Sequence, residues 1–179
     1  EVLAGGILAW LAADTPRIPI AALPANQTWV TRHRPKIDRI ACPWLIRRFI
    51  DPAAQVLFVP PAEVTLVAEK FNATAFDVPD GAFTQSAGRC TFDAMLDHFD
   101  LRTQPLTKMA DVIRAADTDS AAKIPEAAGL LALSVGFSRM YNDDQAQLTA
   151  TLPIYDALYR WARDGQSETR DWPYPEAGQ

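Results

Sequence analysis

The chain has 179 residues, 49% of them hydrophobic and 22% charged, with a net charge of −5. That suits one soluble globular domain with a sizeable core. It argues against nucleic-acid binding through a broadly basic surface. Two cysteines, Cys42 and Cys90, are too few for a disulfide framework and point to a reducing, cytoplasmic setting. No apolar run reaches membrane-spanning length, so no membrane partner is expected.

Residues 1–16, EVLAGGILAWLAADTP, read as a strand end, a sharp turn at Gly5-Gly6 and a helix with Ile7, Trp10 and Leu11 on one face. The segment resembles the closing part of a rhodanese domain. That likeness implies an upstream rhodanese domain in a longer chain. The sulfur-carrying cysteine loop of a rhodanese would lie before this segment, so no sulfurtransferase activity is expected here. The opening at Glu1, without a basic flank or an initiator methionine, reads as a fragment or processed form and not as a signal peptide. Residues 17–27 hold Pro19 and Pro24 without helical period and read as an extended linker. The main domain is expected over residues 28–165.

Trp29–Asp51, WVTRHRPKIDRIACPWLIRRFID, concentrates the positive charge. Arg32, Arg34, Lys36, Arg39, Arg47 and Arg48 stand against one acid, Asp38, within Arg32–Arg48. A patch of about +5 in an otherwise acidic chain favours anions. Val30 and its neighbours read as a strand. Ile37, Ile40, Ala41, Trp44, Leu45 and Phe49 follow helical spacing over Ile37–Ile50. Pro43 fits only a first helical turn. Either the helix begins near Cys42, or Ile37–Ala41 is a separate turn. In the first case the helix dipole and Arg39 favour the Cys42 thiolate. The plainer alternative makes Cys42 a small buried hydrophobe and the arginines a solvated face.

Further along, Gln55–Val59 and Thr74–Val78 read as strands flanking a helix over Pro61–Phe71, a small β-α-β unit. The loop Phe83–Arg89 is polar and suited to lining a site. Cys90–Phe99 reads as a short helix capped by Thr91, with Asp93 favoured in its first turn. Thr103–Ala116 is a helix whose edge carries Arg114 and Asp117, either an ion pair or two site residues. Pro125–Met140 is apolar nearly all round, so it is expected at the buried centre, with Gly129 and Gly136 permitting close helix contacts. The last helix runs from a cap at Asn142 or Asp143 to about Arg163, with a kink expected at Pro153. Residues 166–179 form a polar tail, expected to be weakly ordered. The expected fold class is α+β: helix-rich, with a small sheet and a helical half.

RPKIDRIACPWLIRRFID, FDVPDGAF, GRCTFDAML, IRAADTD, PEAAGLLA and IYDALYRWARD occur in that order. Together they resemble the chromate-resistance (ChrB-type) C-terminal domain family over about Trp29–Asp164. The resemblance implies a part in chromate resistance, by sensing or regulation. Many relatives are expected to carry histidine near Gln85; glutamine here takes an imidazole out of any inherited mechanism.

Chromate is a tetrahedral dianion, and guanidinium groups offer paired, charge-assisted donors to such oxygens. The expected ligand-binding residues are Arg34, Lys36, Arg39 and Arg47, with Gln85 in the facing loop, and the expected partner is a small oxyanion such as chromate. Backbone N–H groups at a helix start near Pro43 would join them, and Asp38 would orient an arginine. A second class of reading is a redox enzyme with Cys42 or Cys90 as electron donor and Asp38, Asp93 and Asp117 as candidate catalytic carboxylates. A third is a scaffold whose basic patch contacts an acidic partner. No cofactor is assigned. The cysteine and histidine spacing fits no zinc pattern, and a hard-metal site from Asp38, Asp77, Asp93 and Asp117 is the other possibility in that class.

Overall fold

A computed structural model describes residues 6–13, 15–79, 81–85, 88–118 and 124–168, the side chains of Ile7, Trp10 and Leu11 excepted. The strand end expected before Gly6 and most of the tail lie outside these residues. Helix α1 (Gly6–Ala12) precedes the segment 17–27, which holds one short 3-10 turn at Ile20–Ala22.

The sheet has three parallel strands in the order β2-β1-β3. β1 (Thr28–Arg32) pairs along its whole length with β2 (Gln55–Val59), from Thr28 opposite Gln55 to Arg32 opposite Val59. On its other edge β1 pairs with β3 (Thr74–Ala75), which is shorter than expected because Phe76 makes only an isolated bridge to Phe83. β1 thus lies in the middle and is the most buried strand. Successive side chains point to opposite faces. Trp29 enters the large core with α2 (Asp38–Leu45), while Val30 packs on Val64 and Val67 of α3 (Val64–Phe71). Each helix therefore covers one face of the sheet, in an α+β domain that is mostly helical.

α2 is the central element. Asp38 and the run Ile40–Leu45 are all buried. Neither expected arrangement around Pro43 holds: the helix begins at Asp38 and runs straight through the proline. It then widens into a π-helical turn at Ile46–Ile50, where the Asp51 N–H bonds back to the Ile46 carbonyl at 2.8 Å. Trp44, Phe49 and Tyr159 pack ring on ring beneath it.

Around α2 stand α4 (Thr91–His98), α5 (Gln104–Asp117), α6 (Pro125–Met140) and α7 (Asp144–Arg160). Cys90, not Thr91, occupies the N-cap of α4, where Asp93 closes a capping box on its backbone. Asp143 caps α7 by accepting from the Ala146 N–H at 2.8 Å. Pro153 lies inside α7, which ends in a second π turn at Trp161–Gly165.

α6 departs from expectation most. It buries only Ala127, Leu130, Ser134 and Ser138, so it is a peripheral helix and not the buried centre. Gly129 and Gly136 face open space, with nothing among the described residues within 4 Å of where a Cβ would stand, so neither serves a close contact there. Ser134 explains the inward polarity: its hydroxyl accepts from the Ile37 N–H at 3.1 Å.

Candidate functional site

The chain leaves β1 toward β2 on one side and returns across β1 to β3 on the other. In open parallel sheets, ligands settle where connections part in this way, beyond the carboxyl ends of the strands. Arg32 ends β1, and Asp77 follows β3 at that place. They meet there: Arg32 Nη2 donates to Asp77 Oδ2 at 2.9 Å, and Arg39 Nε lies 3.5 Å from the same oxygen. The Thr91 hydroxyl donates to Asp77 Oδ1 at 3.2 Å. Arg32, Asp77, Val78, Pro79, Thr84 and Gln85 line an open cleft of about 210 Å³.

The backbone is strained at Asp77, which lines the cleft, and in the connection from β1 to α2. Arg34, Ile37 and Asp77 all have positive φ, at 56°, 34° and 52°. For a β-branched residue such as Ile37 this is a genuine outlier. The surroundings hold it: Tyr155 donates its hydroxyl to the Ile37 carbonyl at 3.0 Å, and Gln147 Nε2 donates to the Pro35 carbonyl at 2.8 Å. Strain retained in this way concentrates at functional sites.

Behind the cleft lies a layer of carboxyl groups. Asp38, 1% exposed, accepts the Thr91 N–H on Oδ2, and its Oδ1 has no partner among the described residues. Burial, then the charges of Asp117 and Asp77, push its pKa to about 8. Burial and these neighbouring charges favour the protonated form of Asp38 near neutral pH. Asp117, at the end of α5, is pushed to about 6 by burial and by Asp77, against the pull of the Asp38 N–H, Arg39 and Arg32. Gln85 Nε2 donates to Asp117 Oδ2 at 2.6 Å. The Nε of Arg32 and the hydroxyl of Thr31 are buried and have no partner among the described residues. The arrangement offers guanidinium and amide donors to an anion, beside carboxyls ready to hold protons. Among the described residues, no group of three or more His, Cys, Asp or Glu side chains is placed to hold a metal ion.

The sequence-predicted residues are dispersed. Arg39, Gln85, Asp38 and Asp117 come together here. Arg34 turns away: its Nη2 donates to the Ser138 carbonyl at 3.1 Å, and its N–H donates to Asp144. Lys36 is exposed. Arg47 donates to the Ala54 carbonyl at 3.2 Å, and Arg48 grips Asp156, which also accepts from the Trp44 indole. Asp38 orients no arginine; Asp77 does that. Cys42 is not at a helix start. It is fully buried, and burial followed by the Asp38 charge pushes its thiol well above the usual range. Cys90 is raised for the same leading reasons.

Asp93 belongs to a separate cluster. Its side chain is wholly buried, yet Arg114 Nη1 donates to both of its oxygens at 2.8 Å, with Arg102 at 3.1 Å and Arg89 at 3.8 Å. Arg114 therefore pairs with Asp93 and Asp111, not with Asp117. Arg32, Thr91 and the full role of Asp77 escaped the sequence pattern. The usable signal was position: a charged residue at the carboxyl end of a predicted parallel strand.

A family model described as "ChrB, C-terminal domain" matches residues 29–162. Protein ChrB of Cupriavidus metallidurans is 33% identical over 135 residues, covering 75% of this chain and 40% of that protein. The chain thus spans well under two thirds of the curated relative it matches. No solved structure matches.

Proposed function

We propose, from the premise that the chain belongs to the family of ChrB C-terminal domains, that it serves chromate resistance by binding a small oxyanion in the Arg32–Asp77 cleft. The observation that carries this reading is the convergence of Arg32 and Arg39 on one Asp77 oxygen at the end of parallel strands. Arg32 lines the open cleft with its guanidinium, whose Nε is buried and has no partner among the described residues, and Gln85 supplies an amide there. A tetrahedral dianion would compete with Asp77 for these donors. The loop Arg34–Ile37, already strained, would then be the element that passes on the change in charge. Arg39 and Gln85 keep their assigned part, while Arg32 replaces Arg34, Lys36 and Arg47. A redox reading draws no support from Cys42 or Cys90, since both thiols are buried and held protonated.

The test is anaerobic titration with chromate, following its absorbance and the melting temperature together, with sulfate as control. A binding domain gives a chromate-selective rise in melting temperature with the absorbance intact, by linkage. Arg32→Gln should abolish that rise. Loss of absorbance beyond one equivalent, in the presence of a reductant inert toward chromate alone, would establish an enzyme instead. An equal response to sulfate, or none, would overturn chromate recognition at this site.

A further inference from the structure

The outward face of α6 is more apolar than its inward face. Leu131, Leu133, Val135 and Met140 are 39%, 48%, 42% and 72% exposed, while two of its four buried residues are serines. From Ala127 to Ser138 the helix carries no charge. An exposed apolar stripe of this kind on a helix is a surface suited to a partner.

The occupant is indicated by a symmetry in the residues themselves. At helical spacing the outermost line is Pro125, Gly129, Ala132, Gly136 and Met140. Gly129 and Gly136 lie equally far from the midpoint between Ala132 and Leu133, and so do Glu126 and Arg139. Both glycines have open space above them, so another backbone can approach closely there. Glu126 and Arg139 are the only charges on α6, and both are exposed. No ion pair engages either one among the described residues. If a second α6 lies antiparallel across this line, each Gly129 meets a Gly136. Each Glu126 comes to the level of an Arg139, and the helix dipoles oppose. A parallel copy would set acid beside acid and base beside base. The pattern is therefore complementary to itself in one orientation, which is the requirement for an isologous two-fold interface.

We propose that α6 is a homodimer interface, in which two copies of this chain pack their α6 helices antiparallel about an axis near Ala132 and Leu133. The apolar flanks Leu133 and Val135 close over the central line, and the strained loop at Ile37, tied to Ser134, sits directly behind it.

Sedimentation velocity of the 179-residue chain across a concentration series tests this. The wild type should sediment as a dimer that dissociates on dilution. Ala132→Lys places a charge on the exposed line and Val135→Lys, separately, on its apolar flank, neither touching the interior. Each should weaken association by at least about tenfold, while leaving the far-UV circular dichroism unchanged. Glu126→Arg should weaken the homodimer, and mixing it with Arg139→Glu should restore association. A wild-type monomer at all concentrations would overturn the proposal, and so would a dimer indifferent to both lysine variants.

Discussion

The backbone N–H of Thr91, at the start of α4, donates to the Oδ2 of Asp38, at the start of α2. This one bond ties the two helix starts together behind the cleft, and it places a carboxyl group where water does not reach. Asp38 has an ordinary value of 3.8 and is pushed to about 8 by burial first, then by Asp117 and Asp77. Between those limits the folded chain holds a proton that the unfolded chain releases. Its contribution to stability therefore falls as pH rises through the window and is flat above it, at a slope of at most about 1.4 kcal/mol per pH unit. Asp38→Asn mimics the protonated group and can still accept from Thr91. The variant should match wild type near pH 4 and be increasingly more stable toward pH 8. Urea unfolding of both proteins across that range checks the difference; parallel stability curves would show that Asp38 is charged in the fold.

Asp93 shows the opposite sign. Burial alone would raise it, but Arg114 and Arg102 outweigh burial and hold it below the usual carboxylate range. Its stabilisation is present above the unfolded value and is lost as pH falls through the folded one. Asp93→Asn leaves Arg89, Arg102 and Arg114 converging on a neutral group and removes the carboxylate of the α4 capping box. The three guanidinium groups are partly solvated, with side chains 30–44% exposed, so the cost is set near the low end for broken buried pairs, about 3 kcal/mol. A urea midpoint unchanged within error would refute this account of the cluster.

Oxyanion binding should couple to Asp117. An anion beside Arg32 and Gln85 favours the protonated acid, and Asp117 titrates at about 6. Affinity should therefore fall as pH rises through that value. In Asp117→Asn, which keeps an acceptor for Gln85, this component should vanish. Comparing the two proteins at each pH cancels any protonation of the ligand itself. Isothermal titration at pH 5 and pH 8 suffices, and an affinity ratio that stays constant would separate Asp117 from the site.

The thiols should be inert in the folded state. Cys42 and Cys90 are 0% and 1% exposed, and burial disfavours both thiolates. A thiol reagent should label neither until the chain unfolds, then both together. Rapid labelling of the native protein would reopen the redox reading.

Local pattern was enough for much of the fold. β2 is bounded by prolines and reads as one apolar run, and it has the expected limits. α3 and α5 follow from their apolar spacing and early prolines. The apolar spacing over Ile37–Ile50 likewise marked α2 and its π turn, but not the helix start, because a proline in the sixth position of a helix is costly by itself. Here the cost is met by burying Trp44, Leu45 and Ile46 between sheet and bundle. α6 misled in the other direction. An apolar helix reads as a core helix, but composition cannot tell a face turned to the core from one turned outward.

The site divides along the same line. Its chemistry was written in the order of residues: a cluster of basic side chains in an acidic chain, followed by Gln85 and Asp117 in later blocks. Which of those cations share a partner was decided only by the parallel order β2-β1-β3. That order brings Arg32 and Asp77 to adjacent strand ends and sends Arg34 and Arg47 to backbone carbonyls elsewhere. Sequence spacing sets which residues share an element's face. Contacts between residues dozens of positions apart depend on how whole elements pack, and no local period encodes that.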